Sequence, residues 1–225
     1  GIVTLLWASF VAIQQTDLKA MLAFSTVSQL GLIMSLFGIG SLALSPGLPR
    51  EAALPLVAAG LAAIFHLLNH SVFKGTLFMT VGILDHELGT RDIRRIAGLM
   101  NFMPVSFALM IAGAFSMAGL PPFSGFLSKE MFFAGTLEAV RHLDWRVLWI
   151  PVLAWLASVF TFVYSMILVF RVFTGKVRPE LLDKPPHEAP VGMLVPPAVL
   201  AVLAIVLFFI PNRLVETILE PALRS

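Results

Sequence analysis

Cysteine is absent from these 225 residues, which excludes disulfide bonds, thiolate-bound iron–sulfur clusters and thiol catalysis. Charge is scarce as well, because 12% of the residues are charged and 58% are hydrophobic. A soluble domain of this size needs far more charge on its surface. The net charge is only +2, and the basic residues lie between the apolar runs, so binding to nucleic acid is not indicated. We therefore expect an integral membrane protein surrounded by lipid.

Phosphate-binding loops, dinucleotide-binding fingerprints and nucleophile motifs are also missing from the sequence. We accordingly expect no cofactor and no enzyme active site. The sequence begins at Gly1 within an apolar run that has no charged leader. We interpret it as a piece of a longer polypeptide and not as a chain with a signal peptide.

The apolar runs predict an all-helical membrane protein with six transmembrane helices, one of which is discontinuous. A polar turn separates the first two runs, and Thr16 or Asp17 is a candidate N-cap for the second. The fourth run contains Gly119-Leu-Pro-Pro-Phe-Ser-Gly125, which cannot continue as regular helix. Such backbone is tolerated at membrane depth only inside protein or against water. The predicted spans are residues 1–14, 18–44, 53–84, 104–140 (broken near 119–125), 147–173 and 194–210, followed by a short amphipathic tail at 211–225.

Basic residues between the spans predict the orientation of the helices, because cytoplasmic loops carry an excess of lysine and arginine. We expect the more basic side to be cytoplasmic. That side carries Arg91, Arg94, Arg95, Arg171, Lys176, Arg178 and Lys184, and the other side carries Arg50, Arg141, Arg146, Arg213 and Arg224.

Three titratable residues lie inside the third apolar run, at His66, His70 and Lys74. Their spacings of four and eight residues place them on one broad face of a helix, over a rise of about 12 Å. A charged group at membrane depth costs at least ~2.5 kcal/mol, so such a residue usually has a function. Lys74 is the strongest candidate for a proton-transfer group, because a buried amine can exchange a proton near neutral pH. The alternative is a lysine that a carboxylate of a neighbouring helix holds charged, for packing alone.

The two histidines allow three interpretations. Imidazole titrates in the range that a proton relay needs, and the four-residue spacing also suits two ligands of one metal ion. His66 and His70 have no suitable third ligand nearby, so we favour the relay, then packing through hydrogen bonds, and expect no metal.

Two further lysines are candidates for proton transfer. Lys129 follows the broken segment. We expect it to transfer protons, to cap the free carbonyl groups of the broken backbone, or to do both. Lys19 lies within one turn of a helix start, where its side chain can reach water, and is the weaker candidate. Small polar residues in the same helix either line a wet path or join helices by hydrogen bonds; they are Ser25, Thr26, Ser28 and Gln29.

Carboxylates are the usual ligands of hard cations, and the sequence places almost none at membrane depth. We therefore expect the cation path to lie mostly elsewhere. The segment Asp85-His86-Glu87 resembles a metal cluster only superficially, and we interpret it as a solvated loop.

Several stretches resemble a known superfamily. Residues 15–31 (QTDLKAMLAFSTVSQLG) resemble the signature of the proton-translocating antiporter-like subunits, which include the large membrane-arm subunits of respiratory complex I. Residues 65–78 and 120–130 resemble the next helix and the later broken helix of that superfamily. Three shorter stretches are similar to the A subunit of Mrp-type multisubunit cation/proton antiporters, namely residues 86–94, 113–119 and 183–190.

The resemblance implies the C-terminal half-channel of such a protein, in the plasma membrane of a prokaryote, with other subunits as partners and with protons and Na⁺ as the transported ions. It implies that Lys74 is the central lysine of the half-channel and that Lys129 connects it to the outside or to a partner subunit. It also implies a preceding lysine at Lys19 and relay histidines at His66 and His70. The N-terminal half-channel of the family, with its glutamate–lysine pair, has no counterpart in this sequence, so we do not expect this fragment to transport ions alone.

Two other functions remain open at this point. One is a redox-driven pump arm of the complex I or membrane-bound hydrogenase type. The other is a structural module of a large complex, whose lysines are held in ion pairs.

Overall fold

The computed structural model describes residues 1–46, 49–142 and 145–210, and within these residues the fold is all-helical. The predicted tail at 211–225 lies outside the described residues. A short π-helical turn, Ile167–Arg171, continues the sixth helix. The helices are α1 (Ile2–Ile13), α2 (Leu18–Ser41), α3 (Arg50–Leu88), α4 (Pro104–Ala118), α5 (Ser124–His142), α6 (Trp149–Met166) and α7 (Val191–Phe209).

Four helical stretches are long and apolar enough to cross a membrane, by length and composition. Two shorter helices, α1 and α4, are also apolar. The number of six spans therefore stays a prediction. The four stretches are Leu18–Leu44, Ala53–Leu88, Trp149–Arg171 and Val191–Phe209.

Local sequence explains where several helices begin and end. The Asp17 carboxylate accepts a hydrogen bond from the Ala20 amide at 2.9 Å, which confirms Asp17 as the N-cap of α2. Pro104 occupies the first position of α4, where its missing amide proton costs nothing. Gly119 ends α4 with a φ of 79°, a left-handed conformation that favours glycine. The chain then runs without helix through residues 119–123, so α4 and α5 are separate helices.

Helix α3 lies at the centre of the bundle, where it packs against α2, α4, α5 and α7. Helix α1 packs against α2 and α6. The largest apolar core surrounds Phe73 and Leu77 of α3 and includes Leu22 of α2 and Met110 of α4. Because α3 has neighbours on most sides, its polar residues His66, His70 and Lys74 lie inside protein and not against lipid.

Three connecting segments meet at one end of the bundle, and we call them the loop layer: residues 14–17, 89–103 and 174–190. Asp17 and Asp92 form an antiparallel bridge. Arg95 forms an ion pair with Asp183 at 2.6 Å, and the Gly98 amide donates to the Thr174 carbonyl at 2.9 Å. The more basic segments of the sequence therefore share one end of the bundle. The side of the membrane that this end faces stays a prediction.

The interpretation of residues 85–87 as a solvated loop is wrong, because α3 continues past the predicted end at residue 84 to Leu88. Glu87 is only 4% exposed. Its carboxylate contacts His86 Nδ1 at 3.0 Å and His187 Nε2 at 3.3 Å. The physical reason is that residues 183–190 fold back over the end of α3, where Lys184 donates to the His86 carbonyl at 2.8 Å.

Glu188 also belongs to the folded-back segment, and it caps α4. Its carboxylate accepts hydrogen bonds from the Val105 amide at 2.7 Å and from the Ser106 hydroxyl at 2.6 Å. A negative charge at a helix N-terminus is stabilising, because the free amide groups there carry partial positive charge.

Candidate functional site

Lys74 is 5% exposed and lies between α3 and α2. Its ammonium group donates to the Leu22 carbonyl at 3.1 Å and to the Ser25 hydroxyl, both on α2. Within the part of the chain that the structure describes, no carboxylate forms an ion pair with Lys74. Its contacts are therefore those of an isolated buried amine, and they do not support the alternative of a lysine fixed by a neighbouring acid.

His66 is 1% exposed and uses both of its ring nitrogens. Nδ1 lies 2.9 Å from the Ser128 hydroxyl of α5, and Nε2 lies 2.9 Å from Gln29 Oε1 of α2. Gln29 in turn donates to the Tyr164 hydroxyl of α6 at 3.4 Å. One imidazole thus connects four helices through neutral polar groups.

His70 lies one turn from His66, with its ring centroid 6.5 Å from that of His66 and the two ring planes inclined by 25°. Phe73 contacts both rings edge-on, at 6.2 Å from His66 and 5.5 Å from His70. No hydrogen bond joins the two imidazoles, and His70 Nε2 is buried without a hydrogen-bond partner among the described residues. The two histidines are close, but they are not directly linked.

Lys129 is 8% exposed and lies in the second turn of α5, beyond the interruption. Its ammonium group donates to the Ala118 carbonyl at the end of α4, at 2.9 Å. On the other side of the interruption, Asn69 donates to the Ser124 carbonyl at 3.3 Å. Lys129 therefore caps the broken backbone, which is one of the two roles expected of it, and the structure leaves its role in proton transfer untested.

Lys19 lies near the loop layer, and its side chain is 43% exposed. It forms an ion pair with Asp85 at 3.1 Å, and Arg91 contacts both Asp85 at 3.4 Å and Asp17 at 3.0 Å. Half-exposed pairs of this kind contribute little to stability, about 0–1 kcal/mol. Lys19 thus belongs to a network at the end of the bundle, whereas Lys74 lies inside it.

The ion pair between Arg94 and Asp92, also in the loop layer, is partly exposed to solvent. Hydrogen bonds from the Arg94 side chain and backbone lower the pKa of Asp92 to about 2. The Asp92 carboxylate is therefore ionised near neutral pH.

The polar side chains follow α3 from the loop layer into the core. Asp85 and His66 are separated by 19 positions, which corresponds to about 28 Å along a helix, close to the thickness of the hydrocarbon core. Lys74 and His70 lie between them, and Ser128 and Lys129 continue the series on α5. Within the described residues, no group of three or more histidine, aspartate or glutamate side chains could hold a metal ion. The arrangement offers titratable groups at intervals, as proton transfer requires.

Ser128 and Tyr164 belong to the hydrogen-bond network around His66, but the sequence analysis did not predict them as part of the site. Ser128 looked like an ordinary small polar residue beside Lys129. Tyr164 is the single tyrosine of the sequence and stands in an otherwise apolar run, which is a signal that could have identified it, because a buried tyrosine hydroxyl usually finds a hydrogen-bond partner.

The comparisons with known proteins agree with this geometry. Residues 1–47 and 52–161 match the family described as NADH:quinone oxidoreductase/Mrp antiporter, TM. The chain belongs to this family. It is a multi-pass protein of the plasma membrane, as the apolar helices also indicate.

Two relatives connect the chain to one branch of the family. The A subunit of the Na(+)/H(+) antiporter of Bacillus subtilis (strain 168) is 56% identical over 231 residues, which cover 100% of this chain and 28% of the relative. The solved Mrp complex of Dietzia sp. DQ12-45-1b contains a chain with 36% identity and a TM-score of 0.72, over 98% of this chain and 21% of that one. The resemblance to Mrp A subunits is thus confirmed, and the chain spans little more than a quarter of the length of the curated relative.

A third comparison shows the fold alone. A chain of the membrane-bound sulfane sulfur reductase, an archaeal respiratory membrane complex, has a TM-score of 0.77 at 24% identity, over 96% of this chain and 33% of that one.

Proposed function

We propose that the chain forms the proton-translocating half-channel of a multisubunit Na⁺/proton antiporter. Protons move between Lys74, His70, His66 and Lys129, and Lys19 exchanges protons near the loop layer. A charge on one lysine changes the proton affinity of the next through Coulomb interaction, which is stronger in the core than in water. Proton movement can in this way be coupled to the movement of a cation elsewhere in the assembly.

The observation that carries this proposal is the set of hydrogen-bond acceptors around the two buried lysines. Lys74 and Lys129 donate to carbonyl and hydroxyl oxygens and to no carboxylate among the described residues. A structural ion pair would place an acid beside each amine, because a buried unpaired charge is costly. An amine held by neutral acceptors can lose its proton and keep its place, which is what a transfer site needs.

A redox-driven pump arm is the second candidate. The fold shared with a respiratory membrane complex supports it, and the buried lysines suit either function. The whole-length similarity to part of a Na⁺/H⁺ antiporter favours the antiporter.

The test uses the full-length protein within its complex, reconstituted into vesicles. Lys74→Ala should abolish proton-coupled cation exchange, because it removes the central titratable group, and the complex should still assemble. Lys176→Ala, at an exposed position in the loop layer, is the matched control and should exchange normally. Normal exchange by vesicles that contain Lys74→Ala would contradict the proposal, and loss of assembly in that variant would support the structural-module function instead.

A further inference from the structure

The side-chain amide of Gln29 lies between His66 and the hydroxyl group of Tyr164. Gln29 Oε1 contacts His66 Nε2 at 2.9 Å, and Gln29 Nε2 donates to the Tyr164 hydroxyl at 3.4 Å. All three residues are at most 1% exposed. An amide accepts at its oxygen and donates from its nitrogen. The orientation of Gln29 therefore decides whether His66 Nε2 carries a proton or accepts a hydrogen bond.

Two further hydroxyl groups determine where the Tyr164 proton points. Among the described residues, Ser28 and Thr161 are the other side-chain hydrogen-bond partners of Tyr164. The Thr161 hydroxyl donates to the Ala157 carbonyl of its own helix at 2.9 Å. A hydroxyl group has one proton, so Thr161 is left as an acceptor for Tyr164.

Ser28 is left as an acceptor for the same reason, through its contact with α1. The Ser28 and Ser9 hydroxyl groups are 2.6 Å apart, and Ser9 donates to the Leu5 carbonyl at 2.7 Å. Since a carbonyl group can only accept, the Ser9 proton is used there. Ser28 therefore donates to Ser9, and its oxygen is available to Tyr164.

These hydrogen bonds give the network a direction that ends at His66. The Tyr164 proton points towards the two acceptors, so the Tyr164 oxygen accepts from the Gln29 amide nitrogen. Gln29 Oε1 then faces His66 and accepts from Nε2. The opposite orientation of the amide would require Tyr164 to turn its proton away from both acceptors.

The hydrogen bond of one imidazole nitrogen sets the role of the other. A side-chain amide does not titrate and cannot pass a proton on, whereas the Ser128 hydroxyl beside Nδ1 can donate and accept in turn. We infer that Tyr164 is a positioning residue, which acts through Gln29 to hold the proton of neutral His66 on Nε2 and leaves Nδ1 to bind a transferred proton. The transfer itself rests on the proposed function, but the position of the proton in the neutral ring does not.

Nitrogen-15 solid-state NMR of the full complex in membranes tests this inference, because the chemical shift of an imidazole nitrogen shows whether it is protonated. In a complex with labelled histidine, the signals that His66→Gln removes belong to His66. At about pH 8.5, above the range in which imidazole ordinarily titrates, the form with the proton on Nε2 should predominate. Tyr164→Phe removes the acceptor of the Gln29 amide, so the ratio of the two neutral forms should fall by about 3- to 10-fold, as the loss of one hydrogen bond implies.

A second variant keeps the tyrosine and removes the acceptors of its proton. Ser28→Ala together with Thr161→Val leaves the Tyr164 proton free to bond to the Gln29 oxygen. The amide should then turn over, and the neutral histidine ring should carry its proton on Nδ1. Ser165→Ala is the matched control, because the buried Ser165 hydroxyl donates to the Thr161 carbonyl of its own helix at 2.7 Å, and it should leave the ratio unchanged.

The outcomes separate this inference from the proposed function. A proton on Nδ1 of His66 in the unmodified complex would overturn the inference, and so would an unchanged ratio in both assembled variants. The expected changes of the ratio in a complex that exchanges no cations would support the positioning role of Tyr164 and refute the proposed function. Unchanged ratios, together with loss of exchange in Lys74→Ala, would overturn the inference alone.

Discussion

The Ser128 hydroxyl joins His66 to the broken helix, and it provides the sharpest test of the proposed proton path. The hydroxyl lies 2.9 Å from His66 Nδ1 and 3.1 Å from the Gly125 carbonyl. Gln29 Oε1 accepts from Nε2, so Nε2 carries a proton in both states of the ring. Ser128 can donate to Nδ1 of neutral His66, or accept from Nδ1 of charged His66 while it donates to Gly125. One rotating hydroxyl therefore satisfies both states.

Ser128→Ala removes this partner from a fully buried ring nitrogen. A hydrogen bond to a neutral group contributes about 0.5–1.5 kcal/mol and one to a charged group about 1.5–3 kcal/mol, a difference of about 1–1.5 kcal/mol. The charged form of His66 therefore loses more stabilisation than the neutral form. The proton-transfer step that passes through charged His66 then has a higher barrier. Since each 1.4 kcal/mol corresponds to a factor of ten in rate, this difference slows exchange by about 5- to 10-fold.

The assay is proton-coupled cation exchange by the full complex in vesicles, together with the yield of the assembled complex. Ser128→Thr retains the hydroxyl and should keep most of the activity. Ser71→Ala is the matched control, because the exposed Ser71 hydroxyl donates only to carbonyl groups of its own helix, at 2.8 and 3.0 Å. Exchange by Ser128→Ala at the rate of the unmodified protein, in a complex assembled at full yield, would refute the reasoning.

Three further predictions concern packing, the histidines and the loop layer. Gly125→Ala adds a Cβ that overlaps a backbone carbonyl of α4. We therefore expect the free energy of unfolding to fall by about 1–3 kcal/mol, with a lower midpoint of thermal unfolding. The control Gly38→Ala adds a Cβ that meets no atom within 4 Å and should have no such effect. Changing His66 and His70 together to Gln should slow exchange and shift its pH optimum; stoichiometric zinc that is lost in this variant would instead identify a metal site. The contribution of Asp92 to stability is complete above its ordinary pKa of about 4 and is lost as the pH falls towards 2. Hydrogen exchange should therefore show the surrounding loop equally protected at pH 7 and pH 5, and early loss of protection near pH 5 would contradict this.

The all-helical fold and the burial of Lys74 and Lys129 could be predicted from the sequence. A lysine or histidine inside a long apolar run is conspicuous, and the Gly–Pro–Pro segment excludes regular helix. The start of α4 at Pro104, its end at Gly119 and the capping of α2 by Asp17 also follow from local residues, whereas α7 begins at Val191, three residues before the predicted start.

The partners of the buried groups could not be predicted, because they depend on how distant helices pack. Ser128 is 62 positions from His66, and Tyr164 is 135 positions from Gln29. A serine or a tyrosine in an apolar run has no pattern that indicates its neighbour. The burial of Glu87 was missed for a similar reason, since the segment that covers it lies about a hundred positions further along the chain.

The contact of Phe73 with both imidazoles has a consequence for energy conservation. A continuous file of hydrogen bonds across the membrane would let protons flow down their gradient without moving any cation, and each proton would dissipate about 2.3 kcal/mol per 100 mV of membrane potential. No hydrogen bond joins the imidazoles of His66 and His70, and the apolar ring of Phe73 lies against both. If protons follow the proposed path, they must cross between these two sites by a rearrangement of side chains or water beside Phe73, and in this proposal that rearrangement is the step at which coupling to a cation is enforced.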